Sequence, residues 1–283
     1  QKRLQQSFYF VNDACDRYGR FLWFYVASPP SCAKHLAVLD AEEGRIVDFP
    51  ETQFSDASPC VDPESGWVYW FSGYALYRRG PKPHQGVELV NTFPEEWAKG
   101  RSPRRLATHL TFNHDRTALF FDAELGTDWY AGSMPLSGEK PELWARFDIC
   151  YNHAQFSPTD PDMALIAQDG WLHAATGQKH DYTHRMWLLR RDGSCKPIFE
   201  HPTPRHGHEW WDASGDRVWY IHYGTGVEYI DLATRKVTCS WEGDISHAHA
   251  ASDASALIGD HYRKDGSHTM DVLYRRLDWP AGR

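Results

Sequence analysis

Residues 208–221 read HEWWDASGDRVWYI. Two runs rich in aromatic and β-branched residues flank a short polar segment. Such residues favour strands, because they fit a pleated and half-buried surface. Asp, Ser and Gly favour tight turns. The stretch therefore predicts two antiparallel strands joined by a turn.

The same strand-turn-strand pattern occurs six times along the 283 residues. The copies begin at Asn12, Ser58, His109, His153, His208 and His247. A third apolar segment, and often a fourth, follows each copy. Four short strands per unit of roughly 40–50 residues are typical of a β-propeller. We predict an all-β chain in which residues 1–283 form a single β-propeller domain. Six blades are countable, and a seventh could be assembled from the two termini.

Composition restricts the functions that this fold could carry. Hydrophobic residues make up 41% and charged residues 24% of the chain, which indicates a globular protein. The net charge of −8 argues against a nucleic-acid partner bound through a basic face. The absence of an 18-residue apolar run argues against a membrane span. The six cysteines have no C-x-x-C spacing; an even number suits disulfides in a secreted protein, but a domain of this length does not need them, and the sequence assigns no pairing.

Histidines recur at equivalent positions of the predicted blades. The first strand of each blade lines the central channel, and side chains two residues apart point to the same side of a strand. We call the first such set the pore ring: Asn12, Ser58, His109, His153, His208 and His247. The set two residues further on is Ala14, Cys60, Thr111, Gln155, Trp210 and His249. We therefore expect His153 and Gln155 to face a water-filled channel.

Three of these histidines suggest a metal site. His247 and His249 lie on the same side of one strand, and His208 begins the inner strand of the preceding blade. Imidazoles converging from adjacent strands suit Zn²⁺ or Mn²⁺, and Gln155, Asp244 or a water molecule could complete the ligand shell. The alternative is that these histidines line a solvated channel.

Other residues suggest acid-base chemistry and anion binding. A neutral imidazole at His153 could accept a proton near neutral pH, and His109 could do the same or bind substrate. The loops between second and third strands bring His173 and Tyr223 to the same face of the propeller. Residues predicted at the mouth to pair with a substrate carboxylate are Arg205 and Arg263. Packing or plain solvent exposure is the alternative for each of them.

Three segments resemble a known group of enzymes. They are residues 153–171 (HAQFSPTDPDMALIAQDGW), 185–194 (RMWLLRRDGS) and 207–221 (GHEWWDASGDRVWYI). They are similar to the oligogalacturonate lyases and the propeller-fold ulvan lyases. The resemblance implies a seven-bladed propeller that cleaves uronate-containing polysaccharides by β-elimination without an organic cofactor.

The two families imply different roles for the histidines. By resemblance to the oligogalacturonate lyases, His208, His247 and His249 hold a Mn²⁺-type ion together with a glutamine, and His153 is the base. By resemblance to the ulvan lyases, His153 and His173 form the catalytic pair with Tyr223, and zinc has a structural role. Neither resemblance locates the arginine that neutralises the substrate carboxylate. Trp171 at the mouth could stack on a sugar ring.

We therefore predict a polysaccharide lyase, a carbon-oxygen lyase acting on an anionic polysaccharide or oligosaccharide beside a Zn or Mn ion. The length of the loop after Gln168 favours an ulvan-type substrate. The alternatives are an oligogalacturonate lyase with catalytic Mn, a metal-dependent hydrolase with Asp169 or Glu209 as base, and a propeller that serves only as a binding scaffold. We expect a secreted or periplasmic protein, or a cytoplasmic one for an oligogalacturonate lyase.

Overall fold

The computed structural model describes residues 3–31, 33–54, 58–265 and 269–277. These residues form short strands and one brief helix, α1 (Glu95–Ala98). The strands make six blade sheets, one for each sequence repeat, arranged in a propeller ring. The all-β propeller prediction is therefore confirmed.

The strands of each blade are antiparallel and follow chain order from the pore outward. In blade III, two short strands share the inner edge, and the described part of blade VI has three strands. Blades I to III comprise β1 (Leu4–Gln6), β2 (Phe21–Ala27), β3 (Lys34–Asp40), β4 (Arg45–Phe54); β5 (Cys60–Val61), β6 (Val68–Ser72), β7 (Ala75–Arg79), β8 (Val87–Thr92); β9 (Arg105–Leu106), β10 (Thr111–Phe112), β11 (Ala118–Leu125), β12 (Asp128–Pro135) and β13 (Glu142–Phe147).

The second half of the chain continues this order and adds one small hairpin. The hairpin, β16 (Trp171–Leu172) and β17 (Lys179–His180), lies in the long loop of blade IV and forms its own two-stranded sheet. The remaining strands of blades IV to VI are β14 (Tyr151–Phe156), β15 (Met163–Gln168), β18 (Met186–Arg190), β19 (Cys195–Pro197); β20 (His206–Trp211), β21 (Arg217–His222), β22 (Gly226–Asp231), β23 (Val237–Glu242); β24 (His247–Ala250), β25 (Ala256–Tyr262) and β26 (Met270–Arg276).

The recurrent polar turn between first and second strands has a common hydrogen-bonding basis. A side-chain oxygen at the start of the turn accepts a backbone N–H a few residues later, which stabilises the turn locally. In blade V, Asp212 Oδ1 accepts the N–H of Ser214 at 3.0 Å, and Gly215 adopts φ +75°. The residues that accept in this way are Asp16, Asp62, Asn113, Ser157 and Asp212.

The hydrophobic core lies between blades. The cluster between blades I and II contains the fully buried Trp23 and Trp70, and the cluster between blades V and VI contains Trp210 and Trp219. Burial of a large apolar side chain contributes about 1.5–3 kcal/mol. These contacts set the angle between successive blades and hence the position of each inner strand at the pore.

The chain before the first inner strand takes an unexpected course. β1 pairs with residues 25–27 of β2, and Cys15 bridges Leu22 of the same strand. Between these points, residues 7–14, which we call the pore segment, carry Tyr9 and Phe10 into the centre of the propeller. Within the described ranges, the N-terminal strand thus belongs to blade I and no seventh blade sheet is formed.

Cys15, Cys60, Cys150, Cys195 and Cys239 are free thiols, and Cys32 lies outside the described residues. Within those residues, no helix has the length and apolar character needed to cross a bilayer.

Candidate functional site

The histidines of the pore ring surround one aromatic side chain. The ring of Tyr9 is stacked on His109 at 4.5 Å between centroids, and it lies 5.9 Å from His153, 6.2 Å from His208 and 6.1 Å from His247. Four imidazoles that are far apart in the chain therefore meet at one mouth, as predicted.

The expectation of a water-filled channel is wrong at this mouth. Tyr9 and Phe10 occupy the space between the inner strands, and Gln155 is only 3% exposed. The repeat pattern places strand starts around an axis, but it contains no information on where the segment before the first repeat goes. Tertiary packing directs that segment into the pore.

His153 and His208 share an unusual backbone conformation. Their φ angles are +53° and +49°, and both lie where β14 and β20 shift register against their neighbouring strands. A β-bulge redirects a side chain and is common beside functional sites. A non-glycine residue in this left-handed region costs of order 1 kcal/mol. In two adjacent blades, therefore, a β-bulge with a positive-φ histidine directs an imidazole into the pore.

A buried ion pair lies behind His153. Arg185 Nε donates to Glu209 Oε2 at 3.0 Å, and the Nη1 atom of Arg185 lies 3.0 Å from Asp169 Oδ1. The Nδ1 atom of His153 is 3.2 Å from Glu209 Oε1 and 2.9 Å from Arg185 Nη2. Arg185 and Glu209 are 5% and 1% exposed. The imidazole of His153 is thus held at one nitrogen by a charged pair.

The charges of this pair stabilise each other. Burial alone would raise the pKa of the Glu209 carboxyl, but the Arg185 guanidinium and the contact with His153 outweigh burial and hold that pKa well below its usual range. Burial alone would lower the pKa of Arg185, but Glu209 and Asp169 raise it. Both groups are therefore ionised at neutral pH. An ionised Glu209 stabilises a positive charge that develops on His153.

We expect Glu209→Gln to lower the free energy of unfolding by about 3 kcal/mol, since it leaves a buried guanidinium with only Asp169 as a charged partner. Urea unfolding monitored by tryptophan fluorescence measures this change. The matched control is Glu142→Gln, which breaks the exposed Arg191–Glu142 pair and should cost less than about 1 kcal/mol. Equal losses in the two variants would show that burial of the pair has no energetic importance.

Two of the predicted metal-binding histidines, His208 and His247, have their Nδ1 atoms engaged in hydrogen bonds. The Nδ1 atom of His208 lies 2.5 Å from the Ser246 carbonyl oxygen, which can only accept, so Nδ1 carries the proton. The Nδ1 atom of His247 lies 3.0 Å from Asp260 Oδ1. A carbonyl or carboxylate behind Nδ1 is the usual support for a metal bound at Nε2. His208 and His247 therefore fit a divalent ion.

The rest of the predicted ligand set is less compact. The ring centroids of His208 and His247 are 4.1 Å apart. The ring of Phe10 contacts His208, His247 and His249, and the exposed His249 is the most distant of the three from it, at 6.5 Å. Gln155 donates to the Glu209 carbonyl oxygen at 2.9 Å, one blade away from His247. The exposed Asp244 pairs instead with Lys264. The geometry favours His208 and His247 as the centre of any pore metal site.

Tyr223 lies where the loop prediction placed it. Its hydroxyl is 2.9 Å from His208 Nδ1, and its side chain covers Gly207, where an added Cβ would meet the hydroxyl at 2.7 Å. Burial raises the pKa of Tyr223 to about 12. The phenol therefore keeps its proton at neutral pH and is available as a proton donor at the mouth.

His109 is the most deeply buried member of the pore ring. It is 1% exposed, and its two ring nitrogens have no hydrogen-bond partner. Burial, together with the charge of His153, holds the pKa of His109 well below its usual range. His109 is therefore neutral in the folded protein, and it packs between Tyr9 and His153.

This burial predicts a pH-dependent stability. Because the folded-state pKa lies below the unfolded value of about 6.5, the stabilisation is present above that pH and is lost as the pH falls. Between pH values of about 7.5 and 5.5, His109 accounts for a loss of about 1.4 kcal/mol. Urea unfolding at both pH values should show that His109→Gln removes this part of the difference. His114→Gln, at an exposed turn, should leave the difference unchanged; an unchanged difference in His109→Gln would contradict the prediction.

The hairpin residues lie apart from the histidine ring. His173 is exposed, and its Nδ1 accepts the N–H groups of Ala175 and Thr176 within its own turn. Trp171 packs edge-on against Trp129 of blade III and stacks on His180 at 4.4 Å. The contacts of both residues thus stabilise the hairpin, and the structure does not bring His173 into contact with His153.

The two predicted arginines also differ in their surroundings. Arg205 is exposed beside Tyr223, with its guanidinium close to Gly224. Arg263 donates to Asp271 across blade VI, with Nε 2.7 Å from Oδ1. Arg205 therefore remains near the mouth, whereas Arg263 is engaged by a carboxylate of its own blade.

A pocket of about 210 Å³ opens beside His153 on the side of blades I to III. A larger cavity of about 840 Å³ lies at the other end of the propeller, among the turns of blades III and IV, and none of the pore-ring histidines lines it. The small pocket carries two basic side chains near the candidate base. It is lined by Tyr9, Tyr25, Lys34, Ser58, Arg105, Thr108, His109 and His153.

Sequence reasoning missed Arg185, Glu209 as its partner, and the pair Lys34 and Arg105. Arg185 lies between the long loop and β18. The only sequence feature that could have pointed to it as a site residue was its place at the end of a loop expected at the mouth. Lys34 and Arg105 lie on blades whose sequences show only the generic repeat. Neither carries a motif that distinguishes it from a solvated surface residue.

No protein-family model and no curated protein matches this sequence. Solved structures do match. An oligogalacturonate lyase in complex with manganese aligns with a TM-score of 0.72 and 16% identity over 97% of this chain and 78% of that one. The oligogalacturonate lyase from Vibrio parahaemolyticus aligns with a TM-score of 0.73 and 15% sequence identity, and the alignment covers 98% of this chain and 77% of that one. TolB from Acinetobacter baumannii aligns with a TM-score of 0.58 and 15% sequence identity, and the alignment covers 91% of this chain and 61% of that one. The chain is therefore a β-propeller whose structure resembles those of oligogalacturonate lyases.

Proposed function

We propose that this chain is a lyase that cleaves a uronate-containing oligosaccharide of the oligogalacturonate type by β-elimination. The observation that carries the proposal is the placement of His153. It lines a pocket with basic side chains on one side and contacts an ionised Glu209 on the other. The resemblance in fold to oligogalacturonate lyases supports the same reading.

His153 is the proposed base. The contact of His153 Nδ1 with Arg185 Nη2, which can only donate, belongs to the tautomer with the proton on Nε2. The proposed reacting tautomer is the other one, in which Nδ1–H donates to Glu209 Oε1 and the unprotonated Nε2 takes the proton from C5 of the uronate. The electron pair then forms the C4–C5 double bond, and the C4–O4 bond breaks. Glu209 stabilises the resulting imidazolium, and Arg185 keeps Glu209 ionised and in place. Arg185 is thus a positioning residue.

The substrate carboxylate must be neutralised before its α-proton becomes acidic enough to remove. Lys34 and Arg105 line the pocket beside His153 and are the proposed partners of that carboxylate. Arg205 is a second candidate at the mouth, and His109 supports the pocket wall. Engagement of Arg263 by Asp271 and of Trp171 by Trp129 makes them weaker candidates for substrate binding.

A divalent ion, Mn²⁺ or Zn²⁺, is the proposed cofactor, held by His208 and His247 with His249 nearby. When bound, such an ion supplies positive charge that stabilises the enolate developing at a uronate carboxylate. Gln155 is buried against β20 and orients that strand, which carries both Glu209 and His208.

Tyr223 is the proposed acid that protonates O4 of the departing sugar. We expect Tyr223→Phe to lower kcat roughly a hundredfold, because loss of one general acid typically removes that much. KM should change little, since the ring is retained. Steady-state kinetics on oligogalacturonides measure both constants, and Tyr182→Phe serves as the matched control. A wild-type kcat in Tyr223→Phe would exclude this role.

The other functions weighed from the sequence have less support. The ulvan preference rested on loop length, but the hairpin in that loop packs on Trp129, and His173 makes contacts within its own turn. A hydrolase would need Asp169 or Glu209 as base. The Arg185 contact makes Glu209 a very weak base. A binding scaffold would not require a charged pair behind a pore histidine.

The proposal is tested by incubating the protein with oligogalacturonides, polygalacturonate and ulvan, with added Mn²⁺ or with a chelator. Ultraviolet absorbance of the unsaturated uronate product reports β-elimination, and a reducing-sugar assay reports any cleavage. We expect absorbance to rise with oligogalacturonides. New reducing ends without that absorbance would indicate hydrolysis instead, and no cleavage of any uronate would favour the scaffold.

A further inference from the structure

A second cluster of metal-competent side chains lies in blade V, on the side of β20 that faces away from the pore. The ladder pairs His206 with His222, and Tyr220 with Glu228. Because His222 and Tyr220 are two residues apart on β21, all four side chains project from one face of the sheet. Strand register thus assembles the cluster.

The contacts within this cluster leave one nitrogen without a partner. Glu228 Oε2 accepts from the Tyr220 hydroxyl at 2.7 Å and lies 3.2 Å from His222 Nδ1. His206 stacks on Tyr220 at 4.4 Å and lies 4.8 Å from the ring of His222. His206 is 7% exposed, and its Nδ1 has no hydrogen-bond partner. Buried polar atoms are rarely unpaired, so an additional group is expected here.

We propose that His206, His222 and Glu228 form a second metal site, with Zn²⁺ as its preferred ion. One ligand atom from each residue lies within 4.8 Å of the others, and among the described residues no other group of three His, Cys, Asp or Glu meets that limit. Two imidazoles and one carboxylate are a ligand set that Zn²⁺ uses, with water in the fourth position. Mg²⁺ and Ca²⁺ prefer oxygen ligands alone.

The surroundings suit both binding and entry of an ion. His206 is buried, and its Nδ1 makes no hydrogen bond to the described residues, so that atom is open to an ion. The side chain of His222 is 31% exposed and offers a path from solvent. Tyr220 orients the Glu228 carboxylate through its hydroxyl, as residues behind metal ligands commonly do.

This site is separate from the pore. His206 packs with Phe199 and Tyr220 between blades IV and V, whereas His208 packs with Phe10 and His247 at the channel. The bulge in β20 between Gly207 and Trp210 sends the two histidines to different environments. An ion in blade V would tie β20, β21 and β22 together and hold the strand that carries Glu209 and His208.

The test uses the whole chain, stripped of metal by a chelator and desalted. The parent for the comparison is the double variant His247→Gln, His249→Gln, which removes two of the three predicted pore ligands and leaves His208 alone. Zn²⁺ is titrated against a chromophoric chelator, and Co²⁺ is titrated to record its visible absorption. We expect the parent to bind one ion with a Co²⁺ spectrum of a four-coordinate site. Adding His222→Gln or Glu228→Gln should weaken binding at least tenfold, and adding His114→Gln should not.

Thermal unfolding provides an independent readout. Zn²⁺ should raise the Tm of the double variant, since an ion that binds only the folded state stabilises it. It should not raise the Tm of the triple variant containing Glu228→Gln, whose fold is checked by circular dichroism. A parent that binds no ion, or triple variants that bind as the parent does, would overturn the proposal. These outcomes are independent of lyase activity, so failure of the proposed function would leave them unaffected.

Discussion

His153→Asn should lower turnover of oligogalacturonides by roughly a thousandfold or more, because a general base typically contributes 10²–10⁴-fold and no other described imidazole of the pore ring contacts Glu209. The loss should appear in kcat, since the basic residues of the pocket remain. Asparagine is chosen because it tolerates positive φ better than alanine does, and His153 has φ +53°. The fold is therefore expected to survive the substitution.

Two controls separate chemistry from structure in this experiment. His114→Asn changes a histidine at an exposed turn and should keep full activity. Circular dichroism and urea unfolding of His153→Asn should match the wild type to within about 1 kcal/mol. Full activity in a folded His153→Asn would rule out the base assigned here. Loss of activity together with loss of fold would be resolved by His153→Gln, which retains a hydrogen-bonding amide at greater reach.

Removal of the pore metal is expected to have the second large effect. Charge stabilisation by a bound ion contributes several kcal/mol to the transition state, so chelation should lower activity by roughly a thousandfold. Added Mn²⁺ should restore it. His247→Gln should show the same loss without restoration, because its Nε2 is one of the two best-placed donor atoms.

The control for this experiment uses the second histidine cluster. His222→Gln removes the proposed blade V site but leaves His208 and His247 in place, so chelation followed by Mn²⁺ should still restore its activity. Activity that is insensitive to both the chelator and His247→Gln would show that the lyase reaction needs no ion at the pore. The carboxylate would then be neutralised by Lys34 and Arg105 alone.

The repeat architecture could be predicted because its signals are local. Each blade can be recognised from two apolar segments that flank a polar turn. The first side chain of the turn accepts a backbone N–H, as Asp212 and Asn113 do. Six such units in one chain must bury their faces against each other, and a propeller does this. The pore ring followed from strand periodicity, which is why His109, His153, His208 and His247 could be grouped without coordinates.

The charged environment of the site could not be predicted in the same way. Arg185 of blade IV contacts Glu209 of blade V. Glu209 lies in the bulge of β20, between Gly207 and Trp210, so its side chain does not point where a regular strand would direct it. Likewise, His206 and His208 are two residues apart, which predicts one shared face. The shift in register places them in different environments. Local periodicity contains no signal for such a bulge.

The amino-acid sequence by itself determined the all-β class, the number of countable repeats and the set of histidines that meet at one mouth, because these depend on periodicity within each strand. Tertiary structure decided which side chains fill that mouth and which charged residues lie beside it. Tyr9 and Phe10 enter the pore because the space between inner strands exists only once the blades are assembled. Arg185 and Glu209 become a buried pair only when blades IV and V exclude water between them, since an exposed pair of the same residues would be weakly coupled.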